Sequence, residues 1–515
     1  MSLTVNEGRA LDRAIELETD VVVIGSGAGG ATVATELALA GFRVVVLEEG
    51  KHVPAKQLGE MRHSQSLRTV WREGGLTAAF GLGDAPTVNV TMGRCVGGSS
   101  VVTGGVCFRV PESILAGWSR DQGIRELTAE SLDPAYSHVE KAIHVEEVPV
   151  SMRSRSTTLF GEGAAKLGYP LVPLRRNTKG CDGCGRCNFG CPHQAKLSVD
   201  LSYLPRAVAA GAELWSDVLV DRVVVENGRA TGVVGRTVPS GPGAPTRRVK
   251  VRAKTVVVAC GGIHSPALLS ASGLGGLRSH VGRHLTLHPG FRVYARFDES
   301  VRGWAGALQS AYSDHFMHEH ITLMSLFVPA SVIAATMPGV GPEHMARASQ
   351  VANIAMFGAL IHDEGGGYVV RSPFDREPTA IYRATKKDGR AMRRGIQIIG
   401  ETFFAAGARE VYLPVLGSPA LDADAFRRYD FENIPLGRLE CASQHPLGTC
   451  RIGRSAKTGV VAPDGGFYGV DGLYVADGSV LPSSLGVNPQ LTVMAVATFI
   501  AWQLREKRPR SSTFA

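Results

Sequence analysis

Residues 20–47 constrain the fold more than any other segment, because a Gly-rich turn lies between two apolar runs: DVVVIGSGAGGATVATELALAGFRVVVL. This pattern predicts a buried strand, a turn, a helix and a second buried strand, which is the βαβ unit of a doubly wound sheet. We expect Gly25, Gly27 and Gly30 to make the tight turn, admit a pyrophosphate and allow close helix–strand contact. The sequence therefore predicts an α/β fold, α+β overall, with a Rossmann-like dinucleotide-binding domain.

An acidic residue follows the second apolar run. Glu48 lies eighteen residues after Gly30, where a carboxylate can accept hydrogen bonds from ribose hydroxyls. Glu49 is the alternative, although it is expected to point the other way along the strand. A Gly-rich turn without a ligand would show the same glycines, and the motif alone does not separate NAD from FAD.

Composition narrows the class of protein. The chain has 515 residues, of which 44% are apolar and 20% charged, and this favours a globular protein of about two domains. The net charge of +8 comes from scattered Lys and Arg without a basic stripe interleaved with aromatic residues, so nucleic acid is not expected as a partner. The first twenty residues lack a signal-peptide pattern, which predicts a cytoplasmic protein and leaves peripheral membrane association open.

Two uncharged runs, residues 321–341 and 480–504, have the length of a membrane span. Both contain Pro and Gly near their middle. We therefore expect buried core or the wall of an apolar pocket, and no transmembrane span.

A second Gly-rich segment, residues 92–111 (MGRCVGGSSVVTGGVCFRVP), resembles the first signature of the glucose-methanol-choline (GMC) oxidoreductase family. In that family a Gly-Gly-Ser-Ser turn packs against the flavin. Thr103 and Cys107 depart from the family pattern, in which an Asn or His and an aromatic residue are usual. The positions that match it are Gly93, Arg94, Gly97, Gly98, Ser99 and Ser100.

The resemblance extends over the whole chain. Residues 261–275 resemble the second family signature, and residues 213–233 resemble the hairpin that places a valine, here Val220, against the adenine. His445 lies in HPLGTCRIG, in the family's order and spacing. The resemblance implies FAD rather than NAD, with four residues near its ribityl chain and ring edge: Asp477, Gly478, Asn488 and Pro489.

Alcohol oxidation requires a base close to the flavin, since a proton leaves the hydroxyl as a hydride leaves the carbon. His445 is the candidate base, and Asn488 is the candidate partner that holds the substrate oxygen. A core histidine and a turn residue before Pro489 are the alternative interpretations. The remaining histidines are interpreted as structural, among them His264, His284, His288, His320 and His362.

Four cysteines follow the ferredoxin spacing C-x2-C-x2-C-x3-C-P: Cys181, Cys184, Cys187 and Cys191. This spacing predicts a 4Fe-4S cluster, with a 3Fe-4S cluster, a structural zinc site and free thiols as alternatives. Such a cluster would pass electrons singly to an external acceptor, which favours a dehydrogenase over an oxygen-using oxidase or a non-catalytic redox protein. The other cysteines are interpreted as small buried residues: Cys95, Cys107, Cys260, Cys441 and Cys450.

The sequence predicts a discontinuous FAD-binding domain at 15–285 and 442–515, with a cysteine loop at 178–195. Residues 286–441 are expected to form a substrate domain on a largely antiparallel sheet, as the resemblance implies. Segments such as HDEGGGYV resemble the long-chain alcohol oxidase branch. We therefore expect the run 321–341, including Leu326 and Phe327, to line a pocket for a lipophilic alcohol whose electrons go to a protein, a quinone or oxygen.

Overall fold

The computed structural model of the chain describes residues 3–239, 241, 243–276, 279–372 and 377–507. Its strands are β1 (Asn6–Glu7), β2 (Ile15–Ile24), β3 (Val44–Leu47), β4 (Ala78–Gly81), β5 (Val88–Val90), β6 (Val145–Glu147), β7 (Val172–Pro173), β8 (Arg175–Asn177), β9 (Glu213–Ser216), β10 (Val218–Glu226), β11 (Arg229–Thr237), β12 (Arg248–Val258), β13 (Arg283–Leu285), β14 (Gly290–Arg296), β15 (Ala311–Ser313), β16 (Ile321–Ser325), β17 (Ile354–Ile361), β18 (Gly367–Val370), β19 (Thr379–Tyr382), β20 (Glu410–Tyr412), β21 (Cys441–Ser443) and β22 (Leu473–Val475).

The α-helices are α1 (Ala28–Leu39), α2 (Ala55–Glu60), α3 (His63–Val70), α4 (Glu112–Gln122), α5 (Ala129–Ala142), α6 (Arg155–Lys166), α7 (Val199–Ser202), α8 (Leu204–Ala209), α9 (Gly261–Ala271), α10 (Ala330–Thr336), α11 (Pro342–Ser349), α12 (Lys386–Ala405), α13 (Ala423–Arg427) and α14 (Gln490–Glu506). α1 packs between the first sheet and α14, and ten of its twelve residues are buried. This explains why its sequence is apolar on every side.

The first sheet confirms the predicted Rossmann-like arrangement. Its strands lie in the order β1-β9-β3-β2-β12-β11-β10, and β22 also pairs with β12. β2 and β3 are parallel and α1 connects them, as a βαβ unit requires. β3 is buried along its whole length, in keeping with a sheet that is covered on both faces.

The second sheet is largely antiparallel, as predicted. Its order is β13-β18-β19-β4-β5-β21-β14-β17-β16-β15-β7, and β20 pairs with β14. Among the described strands of this sheet, only β19–β4 and β5–β21 are parallel pairs. The sheet takes β4, β5, β7 and β13 from the part of the chain assigned to the first domain. The residue boundaries of the two domains stay predictions.

The two uncharged runs become ordinary secondary structure. The first contains β16 and α10, and the second ends in α14. All five residues of β16 are buried. No helix within the described ranges is both long enough and apolar enough to cross a membrane.

Candidate active site

A cavity of about 860 Å³ extends between the two sheets and includes both the Gly-rich turn after β2 and the predicted catalytic pair. Of the predicted cofactor residues, Gly30 and Gly97 lie behind the cavity wall and do not line the cavity. The remaining predicted cofactor residues all line it: Gly25, Gly27, Glu48, Gly93, Gly98, Ser99, Ser100, Val220, Asp477, Gly478, Asn488 and Pro489. The structure thus brings together residues that are separated by up to 464 positions in the chain.

The glycines of the first turn have different surroundings. Gly25 has φ +98°, and a Cβ there would lie 2.4 Å from the carbonyl oxygen of Ala259. A Cβ on Gly30 would lie 2.0 Å from the carbonyl oxygen of Gly25. At Gly27 the nearest atom would be the Cα of Gly98 at 3.9 Å, so this glycine faces open space in the cavity. The residues fit a pyrophosphate, since Gly27 immediately precedes the N-terminus of α1.

The second Gly-rich turn packs directly on the first. The backbone N–H of Gly97 donates to Ser26 Oγ over 3.0 Å, and a Cβ on Gly98 would lie 2.8 Å from the Cα of Gly27. Ser99 Oγ accepts from the backbone N–H of Gly93 over 3.0 Å, which closes the turn on itself. The two motifs therefore form one wall of the cavity.

Glu48 is buried and its carboxylate accepts three hydrogen bonds. Oε2 accepts from the backbone N–H of Ser26 over 3.0 Å and from its hydroxyl over 2.7 Å, and Oε1 accepts from the Gly50 N–H over 2.9 Å. Burial raises the pKa of Glu48. A carboxylate has about four acceptor positions, so one remains for a ribose hydroxyl. Glu49 also lines the cavity, but its carboxylate pairs with Arg72.

A polar network along the same wall was not predicted from the sequence. Arg72 pairs with both Glu49 and Glu377, the latter over 2.7 Å, and His264 Nε2 lies 3.1 Å from Glu377 Oε2. Burial raises the pKa of Glu377, but the hydrogen bond from His264 and the charge of Arg72 outweigh it and hold that pKa at about 2. His264, interpreted as structural from the sequence, lines the cavity.

Asp477 organises the C-terminal wall. Its Oδ2 accepts from the backbone N–H of Gly261 over 2.8 Å, and its Oδ1 accepts from the Ser479 N–H over 2.7 Å. The preceding residue, Ala476, presses against α1, because a Cβ on Gly29 would lie 1.9 Å from its carbonyl oxygen. Gly29 is a third constrained glycine of this turn, and the G-x-G-x-x-G pattern does not mark it.

His445 and Asn488 meet inside the cavity. Asn488 Nδ2 lies 3.3 Å from His445 Nε2. An amide nitrogen can only donate, so Nε2 is the acceptor and carries the free lone pair. Burial lowers the pKa of His445 to about 4, which keeps the ring neutral at pH 7. Its position is fixed by a hydrogen bond from its backbone N–H to Ser443 Oγ over 3.0 Å.

His288, also interpreted as structural, lies directly behind this pair. Its ring meets that of His445 edge to face, with centroids 5.3 Å apart. Its Nε2 accepts from the backbone N–H groups of Leu485 and Gly486 over 2.7 and 2.9 Å. His288 therefore fixes the backbone of residues 485–486, which lead to Asn488.

The cysteine loop lies beside the cavity. Cys187 is buried, whereas Cys181, Cys184 and Cys191 are partly exposed. Arg176, which is fully buried, donates from Nη2 to Cys187 Sγ over 2.8 Å. Two residues of the same loop, Asn188 and Phe189, line the cavity wall.

Lys196 joins this loop to the second Gly-rich turn. The buried Nζ donates to the carbonyl oxygens of Val101, Thr103 and Cys187 over 2.6, 2.8 and 2.8 Å. Neither Lys196 nor Arg176 was singled out from the sequence. A lysine and an arginine outside any motif give no signal until the fold brings them to the cysteines.

Within the described chain, only three metal-ligand side chains have donor atoms that all lie within 4.8 Å of one another: Asp182, Cys184 and His193. No three of the four loop cysteines form such a group among the described residues. The isolated Cys95, Cys107, Cys441 and Cys450 are buried as predicted, whereas Cys260 lines the cavity.

Comparisons with known proteins agree with the site. The N- and C-terminal profiles described as GMC oxidoreductase match residues 19–290 and 371–497. An uncharacterised GMC-type oxidoreductase of Mycobacterium tuberculosis is 37% identical over 491 residues, covering 94% of this chain and 75% of that protein. A long-chain-alcohol oxidase of Arabidopsis thaliana is 29% identical, covering 98% of this chain and 69% of that protein.

The fold is also that of solved flavoenzymes. The crystal structure of pyridoxine 4-oxidase from Mesorbium loti superposes with a TM-score of 0.72 at 19% identity, covering 95% of this chain and all of that one. These findings confirm the predicted fold class and the prediction of an FAD-dependent enzyme that oxidises CH–OH groups. The chain belongs to the GMC oxidoreductase family.

Proposed function

We propose that the protein oxidises a lipophilic alcohol, with His445 as the base that removes the hydroxyl proton. The observation that carries this proposal is the 3.3 Å contact between His445 Nε2 and Asn488 Nδ2, in the same cavity as the dinucleotide motif. FAD, when bound, supplies the hydride acceptor.

The two side chains have complementary roles. An alcohol oxygen placed between them donates its proton to His445 Nε2 and accepts a hydrogen bond from Asn488 Nδ2. The apolar surroundings that lower the pKa of His445 keep it unprotonated before the reaction. His288 keeps the Asn488 segment in place through two backbone hydrogen bonds.

The test is anaerobic flavin reduction by alcohols in the wild type and in His445→Ala. We expect the rate of flavin bleaching to fall about 10²- to 10⁴-fold, the usual contribution of a positioned base. His284→Ala is the matched control, because burial also lowers the pKa of His284 to about 4 and this histidine does not line the cavity. Equal loss in both variants would contradict the assignment of the base.

The lipophilic class rests on the substrate side of the cavity. Met324, Leu326, Val328 and Leu360 line it. One relative is named a long-chain-alcohol oxidase, which agrees with this lining. We expect kcat/KM to increase with chain length across a series of primary alcohols, and a flat series would contradict the proposal.

We further propose that Cys181, Cys184, Cys187 and Cys191 hold an iron–sulfur cluster, 4Fe-4S rather than 3Fe-4S. Supporting this are the buried cations Arg176 and Lys196, which offset the negative charge of thiolates. A cluster, when bound, supplies one-electron transfer. Phe189 of this loop lines the cavity, so the loop that would hold the cluster lies against the site.

The cluster is tested by iron and acid-labile sulfide analysis, with about four of each expected per chain. Cys187→Ser should remove most of the iron, whereas Cys450→Ser, a buried cysteine outside the loop, should retain it. Stoichiometric zinc without sulfide would contradict the cluster and favour a structural metal site.

The electron acceptor is proposed to be an external carrier, a protein or a quinone. The competing assignment is an oxidase, which the name of the Arabidopsis relative favours. Peroxide formed in air at the rate of alcohol oxidation would identify an oxidase. Slow reoxidation in air, with rapid reoxidation by a quinone analogue, is the result expected for a dehydrogenase.

A further inference from the structure

Arg292 lies on β14 at the substrate end of the cavity and lines it. Its Nε donates to Tyr294 Oη over 2.6 Å, and its guanidinium carbon lies 5.6 Å from the centre of that ring. Tyr294 Oη is in turn 3.1 Å from Thr336 Oγ1 at the end of α10. Tyr294 thus orients the side chain through Nε, and this hydrogen bond leaves Nη1 and Nη2 for other partners.

No carboxylate of the described residues lies within 4.0 Å of this guanidinium. Glu440 is its cross-strand neighbour by the strand register; it is exposed and lies beyond ion-pair distance. Burial lowers the pKa of Arg292, but Tyr294 and the more distant charge of Glu440 outweigh it and raise that pKa. Arg72, which also lines the cavity, pairs closely with Glu49 and Glu377. The two arginines therefore differ in their partners: Arg72 makes two ion pairs within the protein, whereas Arg292 makes none with a described residue and has only the more distant charge of Glu440.

A desolvated cation without a counter-ion is costly to keep in a folded protein. Proteins place an arginine in such a position where a ligand brings the negative charge, because the planar guanidinium matches a carboxylate through two parallel hydrogen bonds. Gly358 is directly opposite Arg292 on β17 and has no side chain to fill the space over it.

The distance from the proposed base indicates which part of a substrate Arg292 would meet. Gly290 pairs with Ala442 across β14 and β21, and Arg292 and His445 lie on opposite sides of that pair. They are five residues apart along the strands, or on the order of 15 Å. Leu360, which pairs with Gly290, places apolar surface between them.

We propose that the substrate is an alcohol with a carboxylate at the far end of an apolar chain, and that Arg292 binds this carboxylate. The proposal rests on the alcohol oxidation proposed above and names its substrate class, the ω-hydroxy carboxylic acids. His445 then acts on the hydroxyl end while Arg292 holds the acid end.

The experiment measures binding without turnover. Isothermal titration of the FAD-loaded protein compares dodecanoate with dodecanamide, which has the same chain and no charge. We expect dodecanoate to bind about 10- to 100-fold more tightly, because its bonds to the guanidinium are charge-assisted. Arg292→Met should remove this difference while changing dodecanamide binding little. Equal binding of the two probes by the wild type would overturn the proposal.

Two further variants separate recognition from a bracing role. Arg296→Met is the matched control, since Arg296 lies on the same face of β14, pairs with Glu410 and is outside the cavity. Tyr294→Phe retains the guanidinium and should keep the preference for dodecanoate. Loss of the preference in Arg296→Met as well would also overturn the proposal. If Arg292→Met does not fold, Arg292→Gln replaces it and should likewise remove the preference.

Turnover separates this inference from the function on which it rests. ω-Hydroxydodecanoate should bleach the flavin with a higher kcat/KM than dodecanol, and Arg292→Met should equalise them. Equal values in the wild type would leave alcohol oxidation standing and reject the carboxylate site. Tight binding of dodecanoate with no bleaching by either alcohol would reject the proposed function and keep Arg292 as a carboxylate-binding residue.

Discussion

The two ends of the cavity differ in the atoms that form their walls. At the nucleotide end much of the wall is backbone, and Gly25 in the wall and Gly30 behind it lie so close to neighbouring carbonyl groups that no side chain fits. At the substrate end the wall is side chains, among them Met324 and Leu360, which come from separate strands of the second sheet. A wall of backbone has little freedom to change, whereas a wall of side chains can be altered one residue at a time. We therefore expect substitutions to act on cofactor retention and folding at one end, and on substrate choice at the other.

The largest effect is expected from Gly30→Ala. Its Cβ would lie 2.0 Å from the Gly25 carbonyl oxygen, and backbone cannot rotate away as a side chain can. We expect a loss of stability of about 1–3 kcal/mol or more, together with loss of FAD. Thermal unfolding and the flavin content of the purified protein measure both effects.

Gly27→Ala is the matched variant within the same turn. Its new methyl group would meet only the Gly98 Cα at 3.9 Å, so the unfolding temperature of the FAD-free protein should not change. Because the methyl group would project into the part of the cavity where FAD is expected to bind, the flavin content of the purified protein should still fall. If Gly27→Ala and Gly30→Ala lost stability equally, the contrast between a packed and an open glycine would be wrong.

An intermediate effect is expected from pH at the substrate end. Burial lowers the pKa of His445 from its ordinary 6.5 to about 4, so the ring stays neutral as pH falls from 8 towards 5. kcat/KM should therefore be flat over this range and decline about tenfold per pH unit only below about pH 4. The contribution of His445 to the free energy of unfolding also decreases in acid, but between pH 6.5 and about 4, because there the unfolded chain binds a proton that the folded chain does not. A decline in anaerobic flavin reduction centred near pH 6.5 would contradict the lowered pKa of His445.

The same contrast explains what the sequence could predict. Gly25, Gly27, Gly30 and Glu48 lie within one βαβ unit, so a local pattern was enough to place them in the cavity. His445 and Asn488 were found because each lies in a motif that resembles the family. Their mutual contact, and the burial that lowers the pKa of His445, required the fold.

What the sequence could not supply depends on distant contacts. Arg72 and Glu377 are 305 residues apart and lie in no motif, yet they form one ion pair. Arg292 is one of many scattered arginines, and what distinguishes it is its place in the cavity without a close ion pair to a described residue. Phe327 was expected to line the pocket with Leu326, but it is buried in an apolar cluster against which Leu326 also packs, and of the two only Leu326 lines the cavity.

The smallest effect is expected from Leu326→Ala, because it removes part of one side chain from a wall that can readjust. Each methylene of lost apolar contact is worth about 0.8 kcal/mol. If the wall readjusts so that the substrate loses contact equal to about one methylene, KM for a long-chain alcohol should increase about fourfold, and KM for a short one should change less. Phe327→Ala is the control at the next residue, which is 3% exposed and does not line the cavity. It should lower stability by about 3–5 kcal/mol and leave the dependence of KM on chain length unchanged. Steady-state kinetics with alcohols of two lengths decide between these results. If Leu326→Ala raised both KM values equally, this side chain would not contribute to the preference for long-chain alcohols. The expectation that single side chains at the substrate end determine substrate choice would then be wrong, and only the expectation for cofactor retention would remain.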